Sequence, residues 1–139
     1  MDKEIIKGFC EETDTLLKEL IRITEVFEDT QKPELLGEFG QVIDRIMGAA
    51  YTLELEEIGR FCELGKKIGY KASQTTDPKL LQLAGPILAD TAEILSTMIK
   101  DLNNVQPEGN ARVQLEAFKS RLKWFLEKFQ NINRDTTDS

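Results

Sequence analysis

Histidine is absent from all 139 residues. Its absence closes several chemistries to this chain: a Ser-His-Asp arrangement, an imidazole base near neutral pH, a phosphohistidine carrier and the common His-containing zinc sites. Cysteine is scarce, with only Cys10 and Cys62 and no CxxC spacing, so a Cys₄ metal site is excluded. Both fall on the apolar sides of helical patterns, which fits buried thiols in a reducing compartment. Nine glycines and four prolines are too few for a turn-rich β protein or a disordered chain. The glycines form neither GxGxxG after a strand nor a Walker sequence. No run approaches the roughly 18 apolar residues of a membrane span. The opening MDKEIIKGF is charged and periodic, unlike the apolar stretch of a signal peptide, and a cytoplasmic location is expected.

The charge balance excludes more. Twenty-five acidic against 18 basic residues leave a net charge of -7, and no basic stripe is interleaved with aromatics. Nucleic acid is therefore not an expected partner. Glu54, Glu56, Glu57 and Glu63 cluster in sequence, but a diiron bundle needs Glu-x-x-His partners that cannot exist here. They read as surface carboxylates; no metal, cofactor or enzymatic activity is expected.

What is present is helical period. Apolar residues recur at Ile5, Phe9, Thr13, Leu16, Leu20, Ile23 and Phe27, a stripe that predicts a helix from Asp2 to about Phe27. Pro33 fits the first turn of a second helix, about Glu34 to Leu53, with Leu35, Phe39, Ile43, Ile46, Ala50 and Leu53 inward. A short third helix begins near Leu55, and Tyr70 to Asp77 reads as a polar connection. Thr76 or Asp77 caps the fourth helix, with Pro78 in its first turn and a bend or break expected at Gly85-Pro86. Asn103 to Asn110 is a loop by composition, and a fifth helix is expected from Ala111 to Gln130. The β-branched alternation of strands never appears. The expected fold is all-α: an antiparallel up-and-down four-helix bundle with an additional short helix, one domain over 1–130 and a frayed tail over 131–139.

One stretch, QVIDRIMGAA from Gln41 to Ala50, stands out because Gly48 sits inside a helical pattern, where glycine costs about 1 kcal/mol relative to alanine. At about 100 degrees per residue, Gly37, Gln41, Asp44 and Gly48 fall on one line outside the apolar stripe. Gly40 and Tyr51 flank that line, Arg45 adjoins Asp44, and Met47 lies nearer the core boundary. Glycines along an exposed helical line make a low-relief strip that a partner can approach closely. The competing explanation is plain packing, with Gly48 against a neighbouring helix and Asp44 paired with Arg45, a lysine or solvent.

The wider pattern resembles the histidine phosphotransfer domain, a bundle family whose second helix carries an exposed histidine in the form H-x-x-K-G. Asp44 stands at the histidine position, Met47 at the lysine and Gly48 at the glycine. Ala50 and Leu53 match the small and leucine positions, and Glu54 replaces a common glycine. Leu55-Glu56-Glu57-Ile58 and Phe61-Cys62-Glu63-Leu64 resemble the family's next helix, and Phe9-Cys10-Glu11-Glu12, Thr15, Leu16-Leu17 and Leu20 its first. The resemblance spans roughly residues 5 to 102 and implies a face that docks a response-regulator receiver or a histidine kinase domain. Aspartate at Asp44 cannot carry phosphohistidine, and methionine at Met47 removes the cation beside a phosphoryl group. The resemblance thus implies a degenerate member that modulates a phosphorelay without carrying phosphate, with Asp44 partly imitating phosphoryl charge. A second possibility is a self-associating or adaptor bundle using Trp124 on the fifth helix, as a monomer or weak homodimer.

Overall fold

The computed structural model describes residues 2–102 and 116–129. Four helices follow one another with connections of two or three residues: α1 (Lys3–Thr30), α2 (Pro33–Thr52), α3 (Glu56–Gln74) and α4 (Pro78–Asp101). Such short links force antiparallel neighbours, and α1 packs on α2, α2 on α3, α3 on α4 and α4 on α1, closing a four-helix ring. A fifth helix, α5, occupies 116–129. The architecture is the expected all-α bundle, and among the described residues there is no strand. No described helix is long and apolar enough to cross a membrane. The expected loop over 103–110, the start of the fifth helix and the tail over 131–139 lie outside the described residues.

The helix starts follow local chemistry. Asp2 accepts from the Glu4 amide at 3.0 Å, and Asp77, rather than Thr76, accepts from the Lys79 amide at 2.9 Å. Pro33 and Pro78 both occupy the first turn, where a missing N–H costs nothing. The core is built from Leu20, Phe27, Phe39, Ile43, Phe61, Ile68, Leu88 and Leu95, with Phe118, Leu122, Phe125 and Phe129 closing it from α5. Three buried threonines stay satisfied by returning their hydroxyls to their own helices: Thr13 donates to the Phe9 carbonyl (2.7 Å), Thr24 to Ile21 (2.8 Å) and Thr91 to Ile87 (2.7 Å).

Several expectations require correction. Helix α3 is not short: it runs through Tyr70 and ends at Gln74, because Ala72 continues the buried line of Ile68 and Tyr70 packs onto α2. It is one of the four principal helices, and α5 is the additional one. Helix α4 continues through Gly85-Pro86, which excludes a break there and is compatible with the expected bend. The inward lines are otherwise as expected, with Phe9, Thr13, Leu20, Ile23, Phe27, Phe39, Ile43, Ile46 and Ala50 buried; the exceptions are Ile5, which is exposed, and Leu16 and Leu35, which are partly covered while their neighbours Leu17 and Leu36 are buried.

Candidate functional site on the α2 and α3 face

Helices α2 and α3 form the most extensive pair in the bundle, and glycine makes their approach possible. A Cβ on Gly69 would lie 2.8 Å from the Leu36 carbonyl oxygen and 3.3 Å from the Gly40 amide nitrogen. Gly40 is itself buried, and a Cβ there would lie 2.9 Å from the Tyr70 ring. Gly59 is covered by the Tyr51 ring, which a Cβ would meet at 2.6 Å. Gly40 therefore belongs to helix packing and leaves no space for a partner. Its placement on an open strip is corrected, since the residue sits where two backbones converge.

Gly48 differs. Nothing lies within 4 Å of a Cβ built there, and the residue is exposed. Gln41 and Arg45 are also exposed, Met47 is partly covered, and Gly37 is half-buried with Ser73 at an ordinary contact of 3.6 Å. Tyr51 is exposed and donates its hydroxyl to Glu63 Oε2 at 3.2 Å. Desolvation by its neighbours, followed by the Glu63 carboxylate, raises the Tyr51 phenol above its ordinary range.

Asp44 is neither enclosed nor unpaired. Lys66 of α3 donates to its Oδ1 at 2.8 Å, with the aspartate side chain 44% exposed and the lysine 31%. The hydrogen bond to Asp44 raises the Lys66 ammonium above the ordinary lysine range, against a smaller opposing effect of desolvation. Of the two readings of Asp44, the pairing with a lysine is observed, and the carboxylate is at the same time partly exposed. A cation does stand beside it, supplied across the seam by α3 rather than from one turn along α2. Lys66 also lies 5.9 Å from the Tyr70 ring centroid, so Tyr70, Lys66, Asp44 and Gly48 form a continuous surface.

The sequence did not single out Lys66, and it marked Glu63 only as a surface carboxylate and Tyr70 only as the start of a polar connection. The available signal was the helical spacing of Gly59, Glu63, Lys66 and Tyr70 on α3, which places them on one side. Linking that side to Asp44 required the register between helices. The described part of α5 meets α3 elsewhere, with Phe118 against Phe61 at 6.1 Å between centroids and Lys119 at 3.7 Å from Glu57. Trp124 is 57% exposed, with Lys128 4.6 Å from its ring centroid. Cys62 is buried, and desolvation pushes its thiol up to about 12. Among the described residues, no three His, Cys, Asp or Glu side chains are grouped to hold a metal ion.

Comparison with known protein families, curated proteins and solved structures gives no match.

Proposed function

We propose that this bundle is a non-catalytic docking module of a phosphorelay, engaging a response-regulator receiver or a histidine kinase domain through the α2 and α3 face without carrying phosphate. The observation that carries the reading is the open backbone at Gly48, one turn from the half-exposed Asp44. A partner helix can approach closely there, with Met47 as an apolar contact and Tyr51 and Tyr70 as aromatic boundaries. Because Lys66 compensates Asp44, recognition rests on shape and on a paired charge rather than on a bare mimic of phosphate.

The test is titration of purified receiver and histidine kinase domains against wild type and Gly48→Arg. Arginine at an exposed helical position leaves the fold intact, so affinity should fall about tenfold or more through obstruction alone. Equal affinity for the two proteins, or saturable binding to neither, defeats the proposal. A second reading, self-association through Trp124, is favoured by the exposure of that ring. It requires a mass above the monomer in light scattering that Trp124→Ala abolishes.

A further inference from the structure

The edge of the bundle opposite α2 and α3 carries a groove of about 830 Å³ between α1 and α4. Its α4 lining extends from Gln82 to Lys100, about 27 Å at the helical rise per residue, or five turns. The groove has a lining of small residues along α4: Gly85, whose missing Cβ leaves room for the buried Phe27 ring, 3.1 Å from where that Cβ would stand, and so lets α1 and α4 pack closely, followed by Pro86 and Ala89. Ile21 contributes apolar surface from α1 and is 41% exposed.

The charge of this groove is one-sided. Glu25 and Glu28 line it from α1, Asp90 and Glu93 from α4, against a single lysine, Lys100. Some carboxylates elsewhere take cationic partners, as Asp14 does with Lys18, Glu19 with Arg22, Asp44 with Lys66 and Glu56 with Arg60, while others on the surface, such as Glu34 and Glu38, have no ion pair among the described residues. Among the described residues none of the four groove carboxylates has an ion-pair partner. Pro86 adds to this, since it withholds the amide that would otherwise bond the Gln82 carbonyl, and both residues line the groove.

From this geometry we infer that the α1 and α4 groove docks a basic amphipathic helical segment of a partner protein. The occupant's apolar side lies against Ile21, Gly85 and Ala89, while its lysines or arginines meet the four carboxylates and the Gln82 carbonyl. Since the groove lies across the bundle from α2 and α3, both faces can be occupied together. The inference is independent of the phosphorelay reading.

The probe is a fluorescently labelled 18-residue helical peptide of leucine and lysine, read by anisotropy against the full chain, with a leucine and glutamate peptide of the same pattern alongside. Wild type should bind the lysine peptide saturably and ignore the glutamate peptide. Ala89→Arg, which fills the groove, should weaken binding about tenfold or more, and Glu28→Gln/Glu93→Gln about as much. Glu34→Gln/Glu38→Gln, which removes the same charge from exposed positions on α2, should change it less than about twofold. The exposed Glu28 and Glu93 substitutions keep the test valid should Ala89→Arg unfold the protein. Absence of saturable binding, equal weakening by the two charge variants, or a wild-type dimer dispersed by Ala89→Arg would each overturn the proposal; the last assigns the groove to a second copy of the chain.

Discussion

Lys66 Nζ lies 2.8 Å from Asp44 Oδ1, joining α3 to α2 across a seam in which Gly40 and Gly69 bring the two backbones together. The pair occupies the middle of the proposed docking face, so the carboxylate that a partner meets is already held in position by a cation of this chain. Holding it there limits the outward field of Asp44 and gives the face a fixed polar pattern.

The pair gives a signed pH dependence. Lys66 titrates above its ordinary value because of Asp44, so its contribution to stability is fully present below the unfolded lysine value of about 10.4 and is lost as pH rises through the higher folded value. The stability difference between wild type and Asp44→Asn should therefore hold steady from about pH 7 to 9.5 and shrink above that range. Urea unfolding across this range is the measurement, and a difference that widens at high pH contradicts the assignment.

Two glycine-to-alanine substitutions should act in opposite directions. Gly69→Ala places a methyl against the Leu36 carbonyl, which backbone cannot easily vacate, and should destabilise by about 1–3 kcal/mol. Gly48→Ala meets open space within a helix and should stabilise by about 0.5–1 kcal/mol. Thermal unfolding of both variants beside wild type decides the matter. Destabilisation by Gly48→Ala would mean that Gly48 is a packing residue.

Helix α2 ends on a residue of unfavourable conformation. Glu54 has φ 60°, with its amide donating to the Tyr51 carbonyl at 3.0 Å and the Leu55 amide to the Ala50 carbonyl at 2.8 Å. This left-handed closure favours glycine. Glu54→Gly should raise stability by about 0.5–1 kcal/mol, the relief of the side chain's steric cost exceeding the added freedom of the unfolded chain. Chemical denaturation that shows a loss would indicate that the Glu54 side chain contributes more than the turn costs.

Cys62 should resist alkylation in the folded protein. Its thiol is buried and pushed up to about 12, so almost no thiolate exists near pH 8. Iodoacetamide should modify Cys62 only after urea unfolding, as peptide mapping would read. Because the unfolded thiol ionises first, this group should also lower stability as pH climbs above about 8.5. Rapid native labelling of Cys62 would show that α3 opens locally.

Helix type, the first-turn prolines and the cap at Asp77 were legible in sequence because they depend on residues within one or two turns of one another. Apolar spacing alone specified an all-α bundle, and the same local reasoning placed Gly48 outward. Helical spacing put Gly48 on the outward line and Gly40 only beside it, which left open whether Gly40 faces a partner or a neighbouring helix. What decides this is the Tyr70 ring, 30 residues beyond Gly40 in the chain. Likewise, the polar run after Tyr70 resembled a loop until α2 supplied a surface for Tyr70 and the core enclosed Ala72. The partner of Asp44 and the convergence of four carboxylates on one groove were decided only by the tertiary structure. Both depend on the rotation and axial register of helices against one another, which are fixed by side-chain interlocking across the whole core and have no local signature.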